Sequence, residues 1–314
     1  MNYFKKKGKK LKKSVAGKIV GDVIKGFEHD NPMLYGASIA FYMIFSMPAL
    51  LIFAVFIAGT IFEQQVVEGQ LYYYIGELVG KESAYQIENI LKNAALDEAG
   101  PVAKAIGVAT LTFSATTVFV NIQLALNEIW GVRAKPQKGW LKLIINRLFS
   151  FLLVISLGIL LLSTILIDTL LGSFGQLLEN FFSDYTVYLM RVASTVVYIS
   201  IVTLAFSLVF KLLPDAHVRW RDVSVGAIVT TSLFVIGKEL IGMYLGASNF
   251  TSAYGAAGSL VIILIWVYYS AVIFLIGAEF TKAYSLRVGK EIVPKKNAVK
   301  VVKKEIEREV NEVV

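Results

Sequence analysis

The sequence predicts an all-α fold: a polytopic membrane bundle of six transmembrane helices, with both termini cytoplasmic and amphipathic helices in the first outside loop. Three observations carry that prediction. Of the 314 residues, 56% are hydrophobic and only 17% charged, whereas soluble domains run at roughly 45–50% apolar and about 25% charged. The chain has a mean hydropathy of +0.64, and its apolar excess is gathered into long runs separated by charged stretches. Finally, Lys and Arg are concentrated in alternate connections between those runs.

Residues 1–30 form a basic cytoplasmic segment, MNYFKKKGKKLKKSVAGKIVGDVIKGFEHD. It lacks the apolar core of a secretory signal, so the first long run is expected to remain as an uncleaved span. The transmembrane domain is expected over 31–284, followed by a charged cytoplasmic tail over 285–314. The candidate spans are Tyr35–Phe62, Val102–Ile129, Leu141–Leu171, Val187–Leu213, Val223–Gly246 and Tyr254–Tyr284. Each is longer than the ~20 residues that cross ~30 Å of hydrocarbon at 1.5 Å per residue. Lipid offers open backbone groups no partner, and the polar/apolar alternation of barrel strands is missing, so helices follow.

Orientation follows from charge. Lys5 to Lys25 precede the first span, Arg133 to Arg147 lie between the second and third, Lys211 to Arg221 between the fourth and fifth, and Lys282 to Arg308 after the sixth. The other side holds only Lys81, Lys92, Lys104 and Arg191. The positive-inside rule places both termini in the cytoplasm, as an even number of spans does. The expected location is the cytoplasmic membrane, with lipids as partners and the N-terminal Lys cluster drawn to anionic headgroups. No nucleic acid is expected, since the basic segment has no interleaved aromatic residues or fold to present them.

The first outside loop, Glu63–Gly100, contains QLYYYIGELVG and ESAYQIENILKNAAL, both with helical apolar spacing. They read as short helices on the membrane surface or capping the bundle. GSFGQLLENFF (172–182) reads as a shorter relative on the same side. The tail from Asn297 to Val314 spaces Val299, Val302, Ile306, Val310 and Val313 as an amphipathic helix would.

Ionisable groups inside a membrane cost roughly 2.5–3.5 kcal/mol each on insertion scales, so each needs a reason. In the second span Thr110, Ser114, Thr117, Asn121 and Glu128 share one face, while Gln123 and Asn127 point elsewhere. This stripe is either a wet pathway or a seam of interhelical hydrogen bonds. In the fifth span Lys238 and Glu239 are adjacent in LFVIGKELIGMYL, hence ~100° apart, and address different neighbours rather than each other. They are either walls of an outward-opening cavity or structural pairs with other helices. In the sixth span Glu279 sits near the cytoplasmic end, where it can cap or pair with Arg147 or Lys282; Gly255, Ser259, Ser270 and Gly277 make a small-residue packing face. Pro48 removes a hydrogen bond from the first span and is expected to kink it.

The sequence lacks cysteine and has two histidines. It contains no metal-ligand spacing, phosphate loop, nucleophile elbow or dinucleotide fingerprint, so no cofactor, metal or catalytic residue is expected. Asp215 and Asp222 flank His217 in PDAHVRWRD, a weak hydrolytic signal in a short basic loop.

ASIAFYMIFSMPALLIF, NIQLALNEIWGV, LLPDAHVRWRDVSVGAIV and YGAAGSLVIILIWVYYSAVIFLIGAEFTKAYS together resemble the YihY/BrkB family of bacterial inner-membrane proteins, some once labelled ribonuclease BN. The resemblance runs from about Asp30 to Tyr284. It implies six spans in the cytoplasmic membrane; serum resistance has been associated with some members, and envelope lipid transport has been proposed for the family. The expectation is a non-enzymatic transporter or translocator of a lipid-like or anionic substrate, with Asn121, Glu128, Lys238, Glu239 and Glu279 on its pathway. The alternatives are a structural or interaction protein of the envelope and, further off, a membrane ribonuclease.

Overall fold

The computed structural model describes residues 15–59, 69, 71–73, 75–76, 80–94, 101–135, 185–247 and 257–302. In chain order the elements are α1 (Val15–Asp30), α2 (Pro32–Gly59), α3 (Lys81–Ala94), α4 (Pro101–Ile129), β1 (Val132–Ala134), α5 (Tyr185–Leu212), β2 (Ala216–His217), α6 (Trp220–Ala247), α7 (Gly258–Arg287), β3 (Val293–Pro294) and β4 (Ala298–Lys300). Within α2, α5, α6 and α7 lie four stretches long and apolar enough to cross a membrane. The expected third span and the 172–182 segment lie outside the described residues.

The first break is chemical. Asn31 adopts φ 48°, a left-handed conformation that Asn tolerates, and ends α1. Pro32 then opens α2, where a missing N–H costs nothing. Pro48 lies inside α2, which continues to Gly59. Its ring leaves the Ile44 carbonyl without a helical donor.

Helix α7 is the hub, packing against α6, α2, α1, α3 and α4, while α2 packs on α4 and α5 on α6. The α6–α7 crossing is a reciprocal interlock. A Cβ at Gly277 would strike the Thr230 hydroxyl, and one at Gly226 would strike Thr281. Each threonine turns its hydroxyl back onto the carbonyl four residues earlier, Thr230 to Gly226 and Thr281 to Gly277, both at 2.8 Å. The threonines are thereby satisfied while the glycines let the backbones approach.

The packed core lies towards one end of the bundle. Leu126, Ile129, Phe210 and Leu275 are fully buried there, and Phe210 stacks on Phe274 at 4.9 Å. Trp130 donates its indole N–H to the Ala278 carbonyl. Elsewhere Phe41, Phe45, Ile236, Leu240 and Met243 are exposed, as in proteins solvated by lipid.

That same end carries two small antiparallel pairs. β4 joins β1, with Arg133 opposite Val299, and β3 joins β2, with His217 opposite Val293. This corrects the helix expected from Asn297: the described start of the tail is strand, because its open backbone groups meet those that follow α4 and α5. Gly131, at φ 63°, makes the turn out of α4, and its carbonyl accepts the Val301 N–H at 2.7 Å. Residues 303–314 lie outside the described set. The first thirty residues likewise contain more than a basic segment, since α1 docks against α7.

Between α2 and α4, α3 is helical and packs Ile87 against Ala40, Ile263 and Val267.

Candidate functional site

The end of the bundle where α1, α4, α7 and the tail converge encloses a cavity of about 300 Å³. Charges of both signs line it: His29 and Asp30 from α1, Glu128 from α4, Arg133 from β1, Lys282 from α7, and Glu291 and Lys300 from the tail. The last two are paired with each other.

A charge cluster runs from the cavity wall inward to buried Glu279. Lys282 Nζ donates to Asp30 Oδ2 at 2.7 Å and stands 3.7 Å from Glu279 Oε2. His29 Nδ1 meets the other Asp30 oxygen at 2.7 Å. Asp30 is 4% exposed and Glu279 only 1%, while Lys282 and His29 reach the surface at 29% and 53%. Burial alone would push the Asp30 carboxyl up; hydrogen bonds from Lys282 and His29, with the Lys282 charge, outweigh it and hold the group below the ordinary carboxylate range. Glu279 Oε1 has no hydrogen-bond partner among the described residues. Gly26 closes the remaining side, where a Cβ would collide with the Glu279 carboxylate. Further along α1, Asp22 accepts two bonds from Arg287, at 2.6 and 3.0 Å, which lower its carboxyl.

The structure separates the residues expected to form a pathway. Glu279 is in this cluster, with Lys282 as its basic neighbour; Arg147 lies outside the described residues. Glu128 lines the cavity. Asn121 lies two turns, about 10 Å, further along α4, and there Ser38 of α2 donates to its Oδ1 at 3.5 Å. Deeper still, Ser46 donates to the Ser114 carbonyl at 2.6 Å. The polar stripe from Ser114 to Asn121 therefore faces α2, while Thr110 is exposed. Lys238 and Glu239 lie about 27 Å along α6 from Trp220, far from this cluster. Lys238 is half-buried and Glu239 exposed, and among the described residues neither makes an ion pair.

Sequence reasoning set aside two polar residues that the structure uses. Gln123 and Asn127 donate to the buried Asp215 carboxylate at 3.3 and 3.0 Å, and Asn127 Oδ1 accepts the Asp215 N–H at 2.8 Å. Asp222 accepts from the Lys290 N–H at 3.1 Å and from Ser285. These two carboxylates hold the loop after α5 and the turn into the tail; His217 is exposed. Asp30 also escaped notice, although its place in EHDNP, against a helix-opening proline, was the available signal. Among the described residues no group of three His, Asp or Glu could hold a metal.

Comparison with known proteins points to one family. The model of the virulence factor BrkB family matches residues 23–301. A UPF0761 membrane protein of Halorhodospira halophila is 32% identical over 196 residues, covering 60% of this chain and 41% of the relative. Its counterpart in Alteromonas mediterranea is 32% identical over 180 residues, 56% of this chain and 58% of the relative. That of Photobacterium profundum is 30% identical over 210 residues, 64% and 62% respectively. The matched region thus spans less than two thirds of each of these relatives. No solved structure matches. The family match covers the first apolar helix, the cavity residues and the tail strands alike, and the chain belongs to the virulence factor BrkB family of integral membrane proteins.

Proposed function

We propose that the protein is a non-enzymatic transporter or translocator in the cytoplasmic membrane, moving a lipid-like or anionic substrate of the envelope. The observation that carries the reading is the cavity with charges of both signs at the foot of the α2–α4 polar seam. Such a vestibule suits an amphipathic substrate that leaves one aqueous surface headgroup first. Glu128 would stand at its mouth, Asn121 within the seam, and Lys238 and Glu239 near the outer exit.

Six spans and two cytoplasmic termini fit this reading. α4 ends at β1, beside the tail, whereas α5 begins at its far end and returns to β2, again beside the tail. The N-terminal helix suits a cytoplasmic surface facing anionic lipid, with Val20 and Ile24 exposed beside Lys18 and Lys25.

Reconstituted vesicles test the proposal. With a fluorescent anionic phospholipid as probe, wild-type protein should move the probe between leaflets, and Glu128→Gln and Asn121→Ala should each slow it about tenfold, roughly 1.4 kcal/mol in barrier. Equal flux in folded variants and wild type would remove those residues from the pathway.

A second reading is favoured by the seam itself. Ser46–Ser114 and Ser38–Asn121 are interhelical hydrogen bonds, as in a protein whose polar residues only join helices. On that reading the same substitutions lower stability and no flux exists to change.

A further inference from the structure

We infer that Asp30, Glu279 and Lys282 form a proton-binding site that exchanges with the cytoplasm through the cavity. The argument begins with charge. Two carboxyl groups and one ammonium meet in a space where Glu279 is 1% and Asp30 4% exposed. With both carboxyls ionised, the cluster carries a net charge of −1 away from water, an arrangement proteins avoid.

The distances show which carboxyl lacks support. The ammonium lies 2.7 Å from Asp30 but 3.7 Å from Glu279. His29 adds a second bond to Asp30. Glu279 Oε1 receives none among the described residues. Asp30 and Glu279 share this one ammonium, which crowds two like charges into one buried space, and a proton on one of them relieves the repulsion. One proton therefore supplies both the missing charge and the missing donor.

The surroundings define the route. Gly26 presents backbone where a side chain would collide with Glu279, closing the α1 side. Asp30, Lys282 and His29 line the cavity, so exchange runs through them. The other charged groups facing the route are Glu128 of α4 and Arg133 of β1, with the Glu291–Lys300 pair closing on itself. Uptake is a simple protonation: a hydronium ion in the cavity gives its proton to a carboxylate oxygen and becomes water, taking the cluster from −1 to neutral with no redox change. As a binding site this goes beyond the pathway reading; only its use as the coupling ion rests on that reading.

The test is isotope-edited infrared titration of the whole protein in lipid nanodiscs, without substrate or gradient. A protonated-carboxyl band should appear and disappear reversibly across the pH range in which the protein stays folded, shift on labelling with carbon-13 glutamate, and be absent from Glu279→Gln. Glu128→Gln, at the open cavity wall, should retain it. The labelled wild type needs no substitution, so a misfolded variant does not blur the answer. No glutamate band in that range, or a band retained in folded Glu279→Gln, overturns the site. A titrating band in protein without flux leaves the site standing and counts against the pathway; flux with no band does the reverse.

Discussion

Lys282 Nζ stands 2.7 Å from Asp30 Oδ2 and ties the end of α7 to the last residue of α1, 252 positions away in sequence. One ammonium thus clamps the two ends of the described bundle and forms part of the cavity wall. The clamp is partly buried, and removing one partner of a buried pair leaves the other uncompensated.

Lys282→Met should therefore destabilise the protein by on the order of 2–4 kcal/mol, the lower side reflecting the 29% exposure of Lys282. Adding Asp30→Asn should cost less than the sum of the two single changes. Reversible unfolding in mixed micelles measures both; strict additivity would mean that the pair is not coupled.

The α6–α7 interlock predicts a position-specific glycine effect. Gly277→Ala and Gly226→Ala should each cost about 1–3 kcal/mol, because the new methyl meets a threonine in a closed crossing. Gly242→Ala, on the same α6 with open space around its Cβ, should be neutral or slightly stabilising, since Ala exceeds Gly in helix propensity by about 1 kcal/mol. Equal losses at all three positions would show that the crossing is not the cause.

Asn127→Ala removes one donor and one acceptor from buried Asp215. A loss of about 1–3 kcal/mol is expected, with increased proteolysis in the loop between α5 and α6. Unchanged melting and an intact loop would contradict this role.

The pH dependence has a definite sign. Asp30 and Asp22 are held below the ordinary carboxylate range in the folded protein. Their contribution is present above that range and is lost as pH falls through the folded values, below about pH 4. Tryptic cleavage after Lys18 and Lys25, assayed after brief acid exposure and return to neutral pH, should report the release of α1. Asp30→Asn should flatten the acid response; an unaltered profile would put the acid sensitivity elsewhere.

Much of the fold was legible because its signal is local. Runs of some twenty apolar residues mark helices whatever their neighbours, and the spacing of Ile87 within α3 marked its packing face. What escaped depends on distant partners. Val299 carries no trace of Arg133, so the tail's apolar spacing read as a helix rather than as a strand in a ladder. Gly26 acts by lacking a side chain, and that contact appears only once Glu279 is placed beside it. Gln123 and Asn127 were judged against the α4 stripe, but their partner Asp215 lies beyond the next described helix. Glu279 and Lys282 were visible as i, i+3 neighbours, whereas the contribution of Asp30 required α1 to fold back on α7.

The central claim is that the α2–α4 seam opens to the cavity lined by Asp30, Glu128 and Lys282. A chain without cysteine lets one thiol report this directly. Single variants Glu128→Cys, Asn121→Cys and Leu126→Cys, the last at a fully buried core position, would be exposed to a membrane-impermeant maleimide from the cytoplasmic side of sealed vesicles. The account predicts labelling at 128 and 121 and none at 126. Labelling at 128 with none at 121 would make the seam a closed packing joint and contradict the pathway.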